Sequence, residues 1–259
     1  MIHVSNTGFP AGTIIVAAAM HPRYYEFTMS LAQVLAPEGS KELIVRSCDI
    51  TQNFNDGIKK MTGEWVWFLG DDHSFDKGLL ARLLARNVDI VVPITSCKSI
   101  PFLPCMMHGP KDLAPGEAYW HENMAVYHWD EVSGQGLLPL PTGDFIGQAG
   151  MLMKKHVLDT LGYPWFKCGQ LDAGRLQEDL NFCHRVQAAG FTVHIDQDEI
   201  LGHHTACNVT ARRGPDGKWT PALGFGHHVM VLPDAKPKAL ATPVMEGRAE
   251  LKWAPLPTE

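Results

Sequence analysis

The sequence predicts an α/β fold in which helices flank a mostly parallel central sheet. Apolar strands and amphipathic helices alternate four times within the first 95 residues, which is the pattern of a parallel sheet covered by helices. Hydrophobic residues make up 45% of the 259 residues and charged residues 19%, as in an average soluble globular protein. A chain of this size and composition can bury a core unaided.

The first half supplies the alternating elements. Each predicted strand is a short apolar run, and each predicted helix carries apolar residues on one face. Asp76 is predicted to cap the third helix, whose apolar face begins at Leu79 and Leu80. The predicted strands are 13–19, 42–46, 64–69 and 88–94, and the first two predicted helices are 24–35 and 54–61.

The second half is predicted to be rich in loops, because residues 95–150 contain many Pro and Gly residues. We predict one domain over residues 1–232, divided into halves at about 10–95 and 96–232, and a Pro-rich tail over 233–259. The elements predicted in the second half are strands at 125–129, 137–140, 192–196 and 199–203 and helices at 154–161 and 179–189.

The charge balance and the cysteines exclude several classes of protein. The net charge is −6, which disfavours binding of nucleic acid through bulk charge. No apolar run approaches the roughly 20 residues that span a bilayer, and the first residues lack the basic leader of a signal peptide. The six cysteines form no CxxC pair, so neither a disulfide framework nor a structural zinc site is expected. We therefore predict a cytoplasmic protein.

An acidic cluster follows the third predicted strand. Asp71, Asp72 and His73 come directly after the run 64–69, and the carboxyl ends of parallel strands share one edge of a sheet, where ligands bind. Carboxylate oxygens suit Mg²⁺ or Mn²⁺, and an added imidazole favours Mn²⁺. The alternative is an exposed turn whose acids cap the next helix.

Two further clusters lie later in the chain. Glu178 and Asp179 open a predicted helix, and Asp179 lies at the start of its apolar stripe. This carboxylate is either a general base or a charge favoured by the helix dipole. His203 and His204 follow a predicted strand and are either metal ligands or part of a surface segment.

The order of these motifs is typical of one enzyme family. Residues 55–58 (NDGI) and 63–69 (GEWVWFL) precede the acidic cluster, 146–154 (IGQAGMLMK) precede a short helix, and 178–191 open with Glu-Asp and close with Ala-Gly-Phe. From about residue 13 to 204, the chain resembles the GT-A-fold glycosyltransferases, most closely the small family 2-like enzymes of bacteria and bacteriophages. Gly70 stands where their DxD motif has its first Asp, and Phe54 replaces a frequent basic residue.

The resemblance implies a transferase with two substrates. The half at about 10–95 would bind a nucleotide-diphosphate sugar, and the half at about 96–232 would bind an acceptor, which is a saccharide, a lipid, a protein or a modified DNA base. Mn²⁺ or Mg²⁺ would assist, and Asp179 would be the general base, with Glu178 beside it. The implied donor-binding residues are Ala18, His21, Asp49, Asn55, Asp71 and Asp72, the implied metal ligands are Asp72, His203 and His204, and the implied acceptor-binding residues are Asp144 and Trp165.

Three other functions compete with this interpretation. A nucleotidyltransferase would share the sheet and the metal, but the segment 17–23 (AAAMHPR) lacks the glycines of its phosphate loop. A metal-dependent hydrolase would use the acidic cluster with His203 and His204. A binding module without catalysis would leave Glu178 and Asp179 without a role.

Overall fold

A computed structural model describes residues 3–5, 8–18, 24–47, 49–98, 102–109, 125–171, 174–204, 208–214, 216–225, 228–231 and 252–255. The strands of its first half are β1 (His3–Ser5), β2 (Thr13–Ala18), β3 (Leu35–Pro37), β4 (Lys41–Arg46), β5 (Trp65–Gly70), β6 (His73–Ser74), β7 (Ile90–Thr95) and β8 (Met106–Met107). The helices of this half are α1 (Tyr25–Gln33), α2 (Ile50–Lys59) and α3 (Leu79–Ala85).

The second half combines short strands, two α-helices and a long antiparallel ribbon. Its helices are α4 (Lys155–Leu161), α5 (Glu178–Ala188) and the 3₁₀ turn Trp129–Glu131. Its strands are β9 (Leu137–Pro139), β10 (Phe145–Ile146), β11 (Leu152–Lys154), β12 (Gly169–Leu171), β13 (Gly174–Leu176), β14 (Val193–His204), β15 (Asn208–Arg213), β16 (Trp219–Phe225), β17 (His228–Val231) and β18 (Lys252–Pro255).

One large sheet dominates the fold, with the strand order β18-β17-β16-β15-β14-β7-β11-β5-β2-β4. In its core, β4, β2 and β5 are parallel, and so are β7 and β14. The strand β11 lies antiparallel between β5 and β7, so all five other core strands run in one direction. The predicted α/β class with a parallel core is confirmed, and the strands from β15 onward extend it as an antiparallel ribbon.

The direction of the core strands places their carboxyl ends on one side, which we call the carboxyl edge. It is formed by the ends of β4, β2, β5, β7 and β14. Two apolar clusters lie on opposite faces of the sheet, and alternate residues of β5 serve both: Trp67 packs on the face of α1 and α3, and Phe68 on the face of α2 and α5. Buried on both faces, β5 delivers the following polar residues to the carboxyl edge at a defined position.

Several predicted boundaries differ from the structure. The helix expected at 54–61 begins at Ile50, because Asp49 caps it by accepting the Thr51 N–H at 2.8 Å. The N-cap of α3 is Gly78 and not Asp76. The Asp76 side chain instead accepts the Gly78 N–H and binds Arg82, each at 2.8 Å.

The strand predicted at 125–129 is wrong. Val126 makes a single bridge to Met107, and the chain then turns into the 3₁₀ turn that begins at Trp129. The strands predicted at 192–196 and 199–203 are one strand, β14, whose register on β7 shifts between Asp196 and Ile200. Within the predicted tail, β18 pairs with β17, whereas 232–251 and 256–259 lie outside the described residues, so the domain limits stay a prediction.

No helix among the described residues is both long and apolar enough to cross a membrane.

An ion pair with a buried carboxylate holds the end of α3 against β14, at the register shift between Asp196 and Ile200. Arg86 donates to both oxygens of Asp196, at 2.8 and 2.7 Å, and to Asp198 at 2.7 Å, and the Asp196 side chain has no exposed surface. Replacing Arg86 with alanine should lower the free energy of unfolding by about 3–5 kcal/mol, because it leaves a buried carboxylate unpaired. Urea unfolding at pH 7 measures this loss.

The control is Lys59→Ala on α2. Lys59 pairs with Asp56 at 3.5 Å on the surface, and the loss of an exposed pair of this kind costs about 1 kcal/mol or less. Equal losses in the Arg86 and Lys59 variants would contradict the prediction.

Candidate functional site

The acidic cluster turns the chain from β5 into a second strand pairing. After Gly70 the chain reverses at Asp71 and Asp72, and β6 then pairs antiparallel with β14, so that His73 lies opposite His203. The His204 N–H donates to the Asp72 carbonyl at 2.7 Å. Residues that are about 130 positions apart in the sequence therefore meet at the carboxyl edge.

The side chains that follow Gly70 crowd its Cα. A Cβ atom at position 70 would lie 2.6 Å from Asp72 Oδ1 and 2.8 Å from His73 Cε1, and such distances are too short for unbonded atoms. A larger residue here would therefore require the Asp72 and His73 side chains to shift.

Three side chains converge here in an arrangement that can hold a metal ion. One potential ligand atom from each of Asp72, His73 and His203 lies within 4.8 Å of the other two. Asp72 Oδ2 is 3.6 Å from His203 Nε2, and Asp72 Oδ1 is 3.5 Å from His73 Nδ1. The predicted meeting of Asp72 with His203 is present, and His73 joins them in the place that the sequence assigned to His204.

A backbone carbonyl sets the tautomer of His203. The Nδ1 atom lies 2.8 Å from the carbonyl oxygen of Ser96. A carbonyl can only accept, so Nδ1 carries a hydrogen, and Nε2 is the ring nitrogen that faces Asp72. Metal-binding histidines are typically oriented in this way by a second partner.

His73 is buried and neutral. Burial lowers the pKa of its imidazole to about 4, although the charge of Asp72 acts in the opposite direction. Its Nδ1 lies 3.0 Å from the backbone nitrogen and 3.2 Å from the carbonyl oxygen of Gly70. Its buried Nε2 has no hydrogen-bond partner among the described residues, which is costly unless the atom has another role. A neutral imidazole is the form in which histidine binds a metal ion.

Asp72 is the anionic member of the cluster. Burial raises the pKa of its carboxyl, but the interactions with His203, His73 and the Lys98 ammonium outweigh burial and hold this pKa well below its usual range. The Lys98 Nζ contacts Asp72 Oδ2 directly. The carboxylate is therefore ionised at all moderate pH values. Asp71 beside it is buried.

His204 faces the other side of β14. Neighbouring residues of a strand point to opposite faces, and the His204 ring stacks on Tyr24 with centroids 5.3 Å apart and planes at 24°. Burial lowers the pKa of this imidazole, and its Nε2 has no hydrogen-bond partner within the described part of the chain. The structure thus brings His203, and not His204, to the Asp72 side chain.

The low pKa of His73 predicts a loss of stability in acid. The imidazole titrates near 6.5 when unfolded and near 4 when folded, so the unfolded state binds the extra proton between these values. The free energy of unfolding should be highest above pH 6.5 and fall by about 2 kcal/mol by pH 5 through this group. Urea unfolding of the metal-free protein at pH 7 and pH 5 measures this difference.

The variant His73→Asn should lose this part of the pH dependence. His156→Asn is the control, because the His156 imidazole is about half exposed at 53% and pairs with Asp89 on the surface. It should keep the wild-type slope. An unchanged slope in the His73 variant would show that this group does not titrate as described.

The predicted general base lies at the start of α5. Asp179 is half-buried, and its Oδ1 accepts the Leu180 N–H at 2.8 Å. Burial raises the pKa of the Cys183 thiol to about 12, and the charge of Asp179 adds to this. The pKa of the Cys105 thiol is raised mainly by its contact with Cys97 and by burial, and the charge of Asp179 adds a smaller effect.

Cys105 lies beside the carboxyl edge. Its N–H donates to the Thr95 carbonyl at 2.7 Å at the end of β7, and the adjacent Pro104 bridges to Ser96. Since Ser96 also holds His203, the segment at Cys105 is joined to the cluster by backbone contacts. Glu178 is half-buried beside Asp179.

The residues predicted for the donor have different surroundings. Ala18 is buried at the end of β2, on the carboxyl edge. Asp49 caps α2. Asn55 is buried, donates to the Phe166 carbonyl at 2.7 Å and accepts the Phe166 N–H at 3.1 Å. Its side chain therefore joins α2 to the segment at Phe166. His21 lies outside the described residues.

The residues predicted for the acceptor also have partners within the protein. Asp144 accepts hydrogen bonds from the Gly109 N–H at 2.7 Å and from the Tyr127 hydroxyl. Its Oδ2 also lies 3.3 Å from His108 Nδ1. These contacts join the loop at 102–109 to the segment that begins at 125. The half-buried Trp165 donates from its indole to the Leu158 carbonyl at 2.9 Å.

Two site residues were not predicted as such. Ser96 orients His203 through its carbonyl, and no side-chain pattern reveals a contact of this kind. Lys98 binds Asp72, and its only signal in the sequence is its place just beyond a predicted strand.

Solved structures of other proteins resemble this chain weakly, and two of them serve as examples. No protein-family model and no curated protein matches the chain. The crystal structure of A197 from STIV is 12% identical, with a TM-score of 0.47 over 80% of this chain and 92% of A197. That of TarS 1–349 from S. aureus is 13% identical, with a TM-score of 0.38 over 72% of this chain and 58% of the TarS fragment. At these values the likenesses establish neither activity nor substrate.

Proposed function

We propose that the chain is a metal-dependent glycosyltransferase, which moves a sugar from a nucleotide-diphosphate donor to an acceptor hydroxyl. The observation that supports this most is the convergence of Asp72, His73 and His203 at the carboxyl edge of a parallel sheet, where α/β proteins bind their ligands. The GT-A-like order of the sequence motifs supports the reaction class.

Asp72, His73 and His203 are the proposed metal ligands. One carboxylate and two imidazoles favour Mn²⁺ over Mg²⁺, which prefers oxygen ligands and bound water. When bound, the ion supplies Lewis-acid stabilisation to the negative charge of the departing diphosphate. His73 replaces His204 in this ligand set, because the His204 ring stacks on Tyr24.

The protein's own groups carry the remaining chemistry. The acceptor oxygen forms a bond to the anomeric carbon while the bond to the diphosphate breaks, and the electron pair of that bond leaves with the diphosphate. Asp179 takes the proton of the acceptor hydroxyl, a role that suits a half-buried carboxylate. Glu178 orients a substrate hydroxyl. We therefore expect inversion at the anomeric carbon, because a general base assists direct displacement of the diphosphate by the acceptor hydroxyl.

Among the described residues, the proposed donor contacts lie near the ends of β2, β4 and β5. Ala18, His21, Asp49 and Asp71 are proposed to surround the nucleoside and the sugar. Asn55 contributes through the Phe166 backbone that it holds. These residues would bind and orient the donor. Once the donor is bound, they would also exclude water from the anomeric carbon.

The acceptor is a saccharide, a lipid, a protein side chain or a modified DNA base. The net charge of −6 makes DNA the least favoured of these. Asp144 and Trp165 are proposed to shape the acceptor side by holding the loops that border it. A cytoplasmic location remains part of the proposal.

A ligand screen followed by a turnover assay tests the function. UDP-, GDP-, CMP- and TDP-linked sugars are added with and without Mn²⁺, and the melting temperature is recorded, since a ligand of the native state raises it. At least one donor should raise the melting temperature only with Mn²⁺, and sugar transfer should then be detected with acceptor mixtures. Hydrolysis of a simple ester or phosphate without response to any nucleotide would instead favour a metal-dependent hydrolase that uses the same cluster.

A further inference from the structure

The cluster contains a cation of the protein's own. Lys98 Nζ binds Asp72 Oδ2, the same oxygen that lies 3.6 Å from His203 Nε2. The Lys98 ammonium therefore contacts the same Asp72 oxygen that a metal ion held by Asp72 and His203 would use. Lys98 and a bound metal ion would thus compete for Asp72 Oδ2.

The backbone that carries Lys98 is held in place. The Cys97 N–H donates to the Leu103 carbonyl at 2.8 Å, and Ser96 bridges to Pro104. The carbonyl of Ser96 also orients His203. One short segment after β7 thus positions a metal ligand and the competing ammonium, so a movement of Lys98 has to come from its side chain.

The Lys98 side chain is free to make that movement. It is 40% exposed, whereas Asp72 is 22% exposed. Its four-carbon stem has several rotatable bonds, and an ammonium is a compact charge that binds phosphate oxygens as readily as carboxylates. A divalent cation and an ammonium repel each other at the distance that a shared carboxylate oxygen imposes. One of the two must leave when the other binds.

We propose that Lys98 is a displaceable counter-ion, which metal binding releases from Asp72 and which then contacts the diphosphate of the donor. This inference rests on the proposed function. It predicts that Lys98 weakens metal binding in the absence of a substrate, since the metal has to displace it. It also predicts that Lys98 strengthens diphosphate binding once the metal is present. The site would thereby bind metal and donor cooperatively.

The test measures two binding constants in the full chain. Mn²⁺ is titrated alone and followed by the electron paramagnetic resonance signal of the free ion. Inorganic pyrophosphate, which stands for the diphosphate of the proposed nucleotide-diphosphate donor, is then titrated at saturating Mn²⁺ by calorimetry. In Lys98→Met, Mn²⁺ should bind at least tenfold more tightly than in the wild type, and pyrophosphate at least tenfold more weakly.

Two variants control for other effects of the substitution. Lys59→Met removes a lysine that pairs with Asp56 on the surface of α2, and it should change neither constant. Lys98→Arg keeps the positive charge and should keep Mn²⁺ binding close to the wild-type value. Opposite changes in the two constants cannot come from a general loss of structure, which would weaken both.

The outcomes separate this inference from the proposed function. Unchanged or weaker Mn²⁺ binding in Lys98→Met, with normal binding in the wild type, would overturn the role of Lys98 and leave the metal site standing. Unchanged pyrophosphate binding would overturn the second half of the inference. If the wild type and Lys98→Met both fail to bind Mn²⁺, the metal site and the role of Lys98 fall together.

Discussion

Replacing Asp72 with alanine should abolish both Mn²⁺ binding and sugar transfer while the chain remains folded. Asp72 is the anionic member of the ligand set, and its low pKa shows that its surroundings favour the charged form. Without it, the ligand set loses its carboxylate and retains two imidazoles, and the charge that develops on the leaving diphosphate loses its stabilisation. The transfer rate should fall by about 10³-fold or more, the scale on which electrostatic stabilisation acts in enzymes.

Three measurements on the Asp72 variant keep the result interpretable. Mn²⁺ titration reports the site, product formation reports the reaction, and circular dichroism with urea unfolding reports the fold. Asp159→Ala is the matched control, because Asp159 is an exposed carboxylate that binds Lys155 at 2.6 Å within α4. It should retain full activity. Normal Mn²⁺ binding in the Asp72 variant would refute the proposed site.

Replacing Asp179 with asparagine should remove catalysis without removing binding. The asparagine oxygen can still accept the Leu180 N–H that Asp179 accepts at 2.8 Å, so the start of α5 is preserved. The amide cannot take a proton from the acceptor hydroxyl. We expect the turnover number to fall by about 10²–10⁴-fold, the usual contribution of a general base, with little change in the Michaelis constant of the donor.

The same experiment distinguishes Asp179 from a residue that only supports the fold. Mn²⁺ affinity and the donor-induced rise in melting temperature should match the wild type. Asp56→Asn on α2 changes an acid that pairs with Lys59 on the surface, and it should leave turnover unchanged. Full turnover in the Asp179 variant would show that another group, or none, accepts the proton.

The core of the fold could be predicted because its elements carry local signals. The apolar runs that became β2, β5 and β7 are separated by helices with one apolar face, and this periodicity is sufficient to predict a parallel sheet. The short strand β11 lies within 146–154, where the only signal of a strand was the resemblance to a family motif, and its antiparallel place between β5 and β7 was not predicted. Its place is decided by which neighbours can pair with it, and that information is spread over distant parts of the chain.

The segments after β14 illustrate the same limit. The residues of β15 and β16 were not predicted as strands, although they pair over six positions from Asn208 to Arg213. Mixed polar and small residues provide a weak strand signal, so backbone pairing with an existing strand outweighs local preference here. The prediction for 125–129 failed for the opposite reason. A strand-like apolar pattern makes a single bridge among the described residues, between Val126 and Met107, before the chain turns at Trp129.

The sequence by itself determined that Asp72 follows a buried strand and so stands at the carboxyl edge of the sheet. The tertiary structure alone decided which histidines meet it. Neighbouring residues of a strand face opposite sides, so a choice between His203 and His204 depends on register, and the pairing of β6 with β14 sets His203 opposite His73. Lys98 reaches Asp72 for the same reason, since β7 lies next to β14 in the sheet. Register is a property of paired strands, and one strand's sequence does not contain it.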